Sequence, residues 1–197
     1  MRIIAITTEA MPAKEAEAIN LLFDNGLETL HLRKPSVPEE NVRQLIEQIT
    51  PFYHPKIVLH DCFDLLDSFD LKGVHLNRRN PLPLQQKHLS VSRSCHSIEE
   101  AKEAGRYDYI FLSPVFDSIS KAGYRKGFIG EQLTQARADG IINEKVIALG
   151  GMTAETIPYI IRYGFGGAAV LGALWGTFAE DGNLTALSER FNRLLIN

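Results

Sequence analysis

The sequence contains no apolar run near the roughly 20 residues that a membrane-spanning helix requires. It has only two cysteines, Cys62 and Cys95, and they form no CxxC pair, which suits a reducing compartment. It also has no basic block, and its net charge of −3 gives nucleic-acid binding little electrostatic support. The first residues lack the long apolar core of a signal peptide. We therefore expect a cytoplasmic protein that binds neither membranes nor nucleic acid.

No linker rich in Pro, Gly or Ser divides the chain, so residues 1–197 are predicted to form one domain. Short β-branched runs alternate with helix-like segments, and this alternation predicts a parallel sheet with right-handed crossovers. Eight strand-then-helix units predict a closed (β/α)8 barrel, the TIM barrel. The alternative is an open doubly wound sheet, and the absence of GxGxxG after the first strand weakens its dinucleotide-binding version. The predicted strands are 2–7, 29–33, 56–60, 73–76, 89–94, 109–112, 146–149 and 168–171.

Polar residues follow most of these strands at their carboxyl ends. In a (β/α)8 barrel, those ends form the active site, so the residues are predicted to share one site at the barrel mouth. They are His31, Arg33, His60, Asp61, His75, Asn80, Ser94, His96, Ser118, Ser120 and Lys121.

Several of these side chains suit particular chemistry. Arg33 at a strand end offers a bidentate clamp for an anion. Asp61 could hold Mg²⁺ or orient Arg33 through a salt bridge, and the sequence leaves both alternatives open. His31 and His96 are candidate acid–base groups because histidine titrates near neutrality, although a single histidine is more often structural. Cys62 and Cys95 show no feature of a nucleophile.

Glycines mark the ends of the last two strands. Gly150–Gly151 follows the seventh strand and Gly172–Ala173 follows the eighth. Glycine lets backbone N–H groups approach an anion closely, and phosphate sites recur after strands seven and eight of this fold. Tight turns with positive φ select glycine too, so the pair GG alone is weak evidence. Both motifs in this order predict a phosphate site.

A long polar loop follows the sixth strand. Ser118, Ser120 and Lys121 offer two hydroxyls and an ammonium within four residues, which could bind a second anionic group. A solvated loop explains the same composition equally well. The nearby basic residues and glycines suit a flap that closes over a substrate.

The sequence around these residues resembles the superfamily of thiamine phosphate synthase and thiazole tautomerase. The segments that carry the resemblance are HLR, GVHL, SCHSIEEA, SPVFDSISK, VIALGGM and GGAAVLGA, in order along nearly the whole chain. The resemblance implies a TIM-barrel enzyme of thiamine biosynthesis. The synthase is a transferase that uses Mg²⁺ to couple hydroxymethylpyrimidine diphosphate to thiazole phosphate, with release of diphosphate. The tautomerase rearranges a thiazole carboxylate phosphate without a cofactor.

The chain departs from the synthase pattern at the diphosphate end. The synthase's Gln-x-Arg-x-Lys is HLRKP here, which keeps Arg33 and places Lys34 beside the lost lysine. The synthase's Asn-Asp-Arg is HDC here, which keeps Asp61. The synthase's second metal-binding Asp corresponds to Asn80, and an Asn side chain is a weaker Mg²⁺ ligand than a carboxylate. Thr-x-Thr-Lys becomes SISK, with both hydroxyls and the ammonium retained. Candidate replacements for the missing charges are Arg78, Arg79 and Arg93.

Three functional hypotheses follow. The leading one is a synthase, with small phosphorylated substrates as its partners; a homo-oligomer is compatible with the sequence. The second is the tautomerase, but the catalytic histidine of that branch falls at Pro114, so His96 or His31 would supply the base. The third is a non-catalytic protein that binds thiazole phosphate or thiamine phosphate. The catalytic candidates are Arg33, Lys121, His96 and His31; the substrate and phosphate candidates are Ser94, Ser118, Ser120, Gly150, Gly151, Gly172, Ala173 and His60; the metal candidates are Asp61 and Asn80.

Overall fold

Eight parallel strands close into a barrel, paired in sequence order with the last strand against the first. The structure is a computed structural model that describes residues 1–81, 89–116, 127–128 and 130–195. The predicted (β/α)8 barrel is confirmed, and the strand ends agree with prediction to within one residue. The strands are β1 (Arg2–Ile6), β2 (Thr29–Leu32), β3 (Ile57–Leu59), β4 (Gly73–Leu76), β5 (Ser90–Cys95), β6 (Tyr109–Leu112), β7 (Val146–Leu149) and β8 (Gly167–Val170).

Helices surround the barrel and cover the outer face of its strands. Two helix ends are well defined: Gly26 has a φ of 96° after α1, and the Ser97 hydroxyl accepts a 3.1 Å hydrogen bond from the Glu100 N–H at the start of α3. Among the described residues, no helix has the length and apolar character needed to cross a bilayer. The helices are α1 (Glu15–Asp24), α2 (Glu39–Gln48), α3 (Ile98–Glu103), α4 (Gly130–Ala138), α5 (Ile157–Arg162), α6 (Gly172–Trp175), α7 (Phe178–Asp181) and α8 (Leu184–Leu195), with 3₁₀ segments at Pro51–Lys56 and Phe63–Asp67.

The interior of the barrel has an apolar side and a polar side. The apolar side comes from β1, β6, β7 and β8, where Ile4, Phe111 and Ile147 belong to one buried cluster. The polar side comes from β2, β4 and β5, where His31, His75 and Ser92 are completely buried. Barrel interiors are usually filled with branched apolar side chains, so buried imidazoles in this layer require an explanation.

Two contacts fix the backbone where β7 and β8 lead to their helices. The Trp175 indole donates a 2.7 Å hydrogen bond to the Ile6 carbonyl, which ties α6 to the end of β1. Gly150 has a φ of 94°, and a Cβ there would lie 2.9 Å from the Pro114 Cα. The turn after β7 therefore requires glycine for its conformation and for its packing against the segment after β6.

Gly73 at the start of β4 provides a test of backbone packing. A Cβ at this position would lie 1.9 Å from the Ser90 carbonyl oxygen, and its φ of 155° adds strain. We expect Gly73→Ala to lower the free energy of unfolding by about 3 kcal/mol or more in urea titrations. Gly105→Ala is the matched control, since a Cβ built at Gly105 meets no atom of the described residues within 4 Å. A change of less than about 1 kcal/mol for Gly73→Ala would contradict the packing described for β4 and β5.

Candidate active site at the barrel mouth

Three imidazoles from neighbouring strands meet inside the barrel towards its carboxyl end. His31 lies on β2, His60 directly follows β3, and His75 lies on β4. Nδ1 of His31 is hydrogen-bonded to Nε2 of His60 at 2.8 Å, and the rings of His60 and His75 stack with centroids 4.3 Å apart. We call His31, His60 and His75 the histidine cluster.

Hydroxyl groups from β5 and β6 hold the histidine cluster in place. The Tyr109 hydroxyl lies 2.7 Å from Nε2 of His31. Ser92 and Ser94 lie on either side of His75, each with its hydroxyl oxygen 2.8 Å from one ring nitrogen. Ser94 is only half-buried, so this network leads from the barrel interior to the mouth.

Burial keeps the histidine cluster neutral. Desolvation lowers the pKa of His75 from 6.5 to about 3, and it lowers the pKa of His31 and of His60 well below 6.5. The charges of Arg33 and Arg79 lower the pKa of His60 further. Each ring therefore carries one N–H donor and one acceptor nitrogen at neutral pH.

Asp61 pairs with Arg79 at the mouth. Its Oδ1 accepts hydrogen bonds from Arg79 Nη2 at 3.0 Å and Nε at 3.1 Å, and the Asn80 amide donates to the same oxygen at 3.3 Å. The Asn80 amide also donates to the His60 carbonyl at 2.9 Å. The alternative that Asp61 orients Arg33 is therefore wrong: Arg79, one of the three candidate replacement arginines, is its partner.

The two basic residues after β2 point in different directions. Arg33 is partly exposed and forms a 2.6 Å ion pair with Glu9, so it stays at the mouth. Lys34 is buried and forms an ion pair of 2.7 Å with Glu15, which is also buried. The Lys34 ammonium also donates to the Thr8 and Ala10 carbonyls. It is thus a structural cation and does not replace the lysine that the synthase pattern has next to it.

His96 lies at the rim, whereas Arg93 lies on the outside of the barrel. His96 is exposed, and its Nδ1 lies 3.2 Å from the Ser113 carbonyl oxygen. Arg93 contacts the ring of Tyr107 on the outer face, away from the site. Burial raises the pKa of the Cys62 thiol, and it raises that of Cys95 to about 11, which agrees with the absence of nucleophile features.

The glycines after β7 and β8 present backbone N–H groups. Gly150 and Gly151 both have positive φ, at 94° and 67°. Gly172 and Ala173 form the first turn of α6, where N–H groups have no partner within the helix. The three remaining candidates, Ser118, Ser120 and Lys121, lie outside the described residues.

Sequence reasoning missed several polar residues that organise this site. Tyr109 and Ser92 hold the imidazoles, and Glu15 neutralises Lys34. Asn77 donates to the His60 carbonyl at 3.0 Å and accepts from the Arg79 N–H. Inward positions on a strand alternate, so Ser92 could have been placed with Ser94 inside the barrel. The Lys34–Glu15 pair left no comparable signal.

Comparison with known proteins shows the family of this chain. A family model described as thiamine monophosphate synthase matches residues 3–174. The chain belongs to the thiamine monophosphate synthase family. This confirms the superfamily resemblance, and the tautomerase alternative is not better supported.

Similar proteins from three bacteria carry related names. The chain is 30% identical to a thiamine-phosphate synthase of Syntrophomonas wolfei over 70% of this chain and 68% of that protein. It is 26% identical to a thiamine-phosphate synthase of Photorhabdus laumondii over 83% of this chain and 79% of that protein. A solved structure of a thiamine phosphate pyrophosphorylase from Bacteroides thetaiotaomicron superposes with a TM-score of 0.89 at 40% identity, covering 99% of this chain and 96% of that one. These findings support an enzyme of the transferase class.

Proposed function

We propose that this enzyme joins a hydroxymethylpyrimidine diphosphate to a thiazole phosphate and releases diphosphate. The family match over residues 3–174 carries this proposal. In the reaction, the bond between the pyrimidine methylene carbon and the diphosphate oxygen breaks, and the thiazole nitrogen donates its electron pair to that carbon. Diphosphate leaves with the bonding electrons. The site must therefore stabilise negative charge that develops on a phosphate oxygen.

The cations at the mouth suit this requirement. Arg33 follows β2 and Arg79 follows β4, the two strands on either side of β3, and both act by their charge on His60, which follows β3. We assign them to the leaving diphosphate, together with Lys121, Ser118 and Ser120 from the loop after β6. Arg79 thus supplies a positive charge that the strand-two and strand-three motifs lack. Guanidinium groups bind phosphate oxygens in bidentate fashion, which favours arginine for this role.

Mg²⁺ fits this site through Asp61. Mg²⁺ in phosphoryl sites commonly takes one or two carboxylates, with substrate phosphates and waters as its other ligands. Oδ1 of Asp61 accepts the shorter hydrogen bonds from Arg79. Among the residues that the structure describes, Oδ2 has one long contact of 3.4 Å, so we assign Oδ2 to the metal. Asn80 turns its amide nitrogen towards Asp61, so its contribution here is to position the carboxylate. Bound Mg²⁺ would neutralise charge on the diphosphate.

The remaining candidates divide between the thiazole phosphate and the pyrimidine ring. We assign the phosphate to the N–H groups of Gly151, Gly172 and Ala173, with Gly150 providing the turn. Ser94 and His60 form the floor of the mouth, and His31 holds His60 through the 2.8 Å hydrogen bond. His96 stands at the rim, where it could contact either substrate. This assignment uses His31 as a positioning residue because its ring is completely buried.

Diphosphate release tests the proposal directly. Purified enzyme is incubated with both substrates and Mg²⁺, and diphosphate and thiamine phosphate are measured. We expect stoichiometric formation of both products, dependent on each substrate. Folded enzyme that forms neither product at saturating Mg²⁺ would contradict the proposal; conversion of a thiazole carboxylate phosphate instead would identify a tautomerase.

A pair of variants tests the assignment of Asp61. We expect Asp61→Asn to lower kcat/KM at least about 100-fold, because the carboxylate that anchors Mg²⁺ is lost. Asn80→Asp supplies a second carboxylate next to Asp61 and is expected to lower the Mg²⁺ concentration needed for half-maximal activity several-fold. Thermal unfolding of each variant controls for loss of structure. An unchanged Mg²⁺ dependence in both variants would remove Asp61 and Asn80 from the metal site.

A further inference from the structure

The side chains around the histidine cluster form two hydrogen-bonded chains that lead from the barrel interior to its mouth. We call them the tyrosine relay, which runs from Tyr109 through His31 to His60, and the serine relay, which runs from Ser92 through His75 to Ser94. Each link is a contact of 2.7 or 2.8 Å. A neutral imidazole has one donor and one acceptor nitrogen, so the direction of one link fixes the direction of the next.

The tyrosine relay starts from a phenol. The Tyr109 hydroxyl is more acidic than a neutral imidazole N–H, so it donates to Nε2 of His31 at 2.7 Å. Burial raises the pKa of Tyr109 to about 12, so the hydroxyl keeps its proton at neutral pH. The His31 proton is then on Nδ1, which donates to Nε2 of His60 at 2.8 Å. The proton of His60 is therefore on its Nδ1.

Nδ1 of His60 is the open end of the tyrosine relay. His60 directly follows β3 and is 5% exposed. Within the described residues, its Nδ1 has no hydrogen-bond partner, whereas every buried side-chain nitrogen and oxygen has one. Nδ1 therefore lies at the accessible edge of the ring, where it offers an N–H donor to the mouth.

The serine relay starts from a hydroxyl that donates to the backbone. The Ser92 hydroxyl donates to the Val74 carbonyl at 3.3 Å, and a carbonyl oxygen can only accept. Because this bond uses the Ser92 proton, Nδ1 of His75 donates to Ser92 at 2.8 Å. Nε2 of His75 then accepts from the Ser94 hydroxyl at 2.8 Å. The half-buried Ser94 oxygen is thus left with lone pairs for the mouth, and its proton is already used.

We propose that the two relays fix Ser94 as an acceptor and His60 as a donor, and that this polarity selects an aminopyrimidine over a pyrimidinone. The rings of His60 and His75 stack with centroids 4.3 Å apart, which brings both open ends to one part of the mouth. An aminopyrimidine has an amino group that donates and ring nitrogens that accept, whereas a pyrimidinone has a carbonyl oxygen and a ring N–H in their place. The choice of a pyrimidine as the ligand rests on the proposed function. The buried members of each relay are positioning residues, because they act on the substrate through the two open ends.

The tautomers of the histidine cluster test this polarity without any substrate. Both relays place the imidazole proton on Nδ1. Long-range proton–nitrogen NMR correlation spectra of enzyme with nitrogen-labelled histidine distinguish the two tautomers at neutral pH, and single histidine-to-glutamine variants assign the signals. We expect the Nδ1–H tautomer for His31, His60 and His75. A cluster ring protonated at Nε2 overturns the proposal.

Calorimetry with two ligands tests the selectivity. An aminopyrimidine and the matching pyrimidinone, each as the hydroxymethyl diphosphate, are titrated into wild-type enzyme with Mg²⁺ and without thiazole phosphate. We expect the aminopyrimidine to bind at least about 10-fold more tightly, because the carbonyl oxygen of the pyrimidinone faces the lone pairs of Ser94. Affinities within about 2-fold of each other overturn the proposal.

This measurement separates the two proposals because binding requires no coupling reaction. Enzyme that selects the aminopyrimidine but forms no thiamine phosphate contradicts the proposed function alone. Enzyme that forms thiamine phosphate but binds both pyrimidines equally contradicts the polarity of the relays alone.

A matched pair of tyrosine variants assigns the selectivity to the tyrosine relay. Tyr109→Phe removes the phenol that sets the direction of the relay, so we expect the ratio of the two affinities to fall at least about 3-fold. Tyr107→Phe is the control, because its hydroxyl accepts from Arg106 on the outer face, and the ratio should stay unchanged. Circular dichroism checks the folding of both variants. A merely structural role would weaken both ligands alike, so folded Tyr109→Phe enzyme with the wild-type ratio overturns the proposal.

Discussion

Replacing Lys34 by Ala is expected to lower the free energy of unfolding by about 3–5 kcal/mol, because the change leaves a buried carboxylate without its cation. The Lys34 and Glu15 side chains are 1% and 2% exposed, and the ammonium lies 2.7 and 2.8 Å from the two carboxylate oxygens. The change also removes the donor to the Thr8 and Ala10 carbonyls. Urea titration at pH 7 measures the loss.

A double variant separates the ion pair from simple packing. Lys34→Met with Glu15→Leu removes both charges and keeps most of the volume, so we expect it to recover most of the stability lost by Lys34→Ala. Arg43→Ala is a surface control, since its pair with Glu40 is exposed and 4.0 Å long. A Lys34→Ala variant within about 1 kcal/mol of wild type would contradict an uncompensated carboxylate, and would show that Glu15 takes up a proton or is reached by water.

Acidification below pH 6.5 is expected to destabilise the enzyme steeply. The three cluster imidazoles have lowered pKa values, so the unfolded chain binds protons below pH 6.5 that the folded enzyme does not. The free energy of unfolding then falls by about 1.4 kcal/mol per pH unit for each such group. Glu15 acts in the opposite direction, because burial raises its pKa from 4.5 to about 7. Between these two pH values the folded enzyme binds a proton at Glu15 that the unfolded chain does not, so acidification stabilises the fold through this group. Three imidazoles lower the free energy of unfolding on acidification and one carboxyl raises it. The net result is a decrease of about 2.7 kcal/mol per pH unit between about pH 6 and 5.

Two variants divide this slope among its causes. Glu15→Gln removes the carboxyl whose protonation opposes the effect of the imidazoles. The pH dependence of the free energy of unfolding should then steepen towards about 4 kcal/mol per pH unit. His75→Gln removes one imidazole and should make the slope shallower by about 1.4 kcal/mol per pH unit. Urea titrations at pH 7.5, 6 and 5 give these slopes. A wild-type stability that is constant over this range is incompatible with three buried neutral imidazoles.

The sequence predicts the barrel well because eight short β-branched runs are separated by helical segments of ordinary length. Even the brief GVHL strand, Gly73–Leu76, has the predicted bounds. The helices α6 and α7 were missed because four residues are too few to show a 3.6-residue period. Gly172, predicted as part of a phosphate site after the eighth strand, begins the first of these two helices.

The site is predictable by position and much less by pairing. The rule that strand ends form the mouth predicts Arg33, Asp61 and Asn80 in one region, and the Asn80 amide does contact Asp61 there. The partner of each charged side chain depends on the path of its loop. The spacing of residues in the sequence therefore predicts neither the Asp61–Arg79 ion pair nor the burial of Lys34. The histidine cluster depends on barrel closure, which aligns residues 29 and 44 positions apart in the chain.

The Lys34–Glu15 pair also bears on how this barrel can change over evolutionary time. A lineage that lost either residue alone would pass through an intermediate with an uncompensated charge in its core. The two positions are therefore expected to co-vary among descendants, present together or replaced together. Residue 34 directly follows Arg33, so the sequence of this loop is constrained by a buried partner on α1.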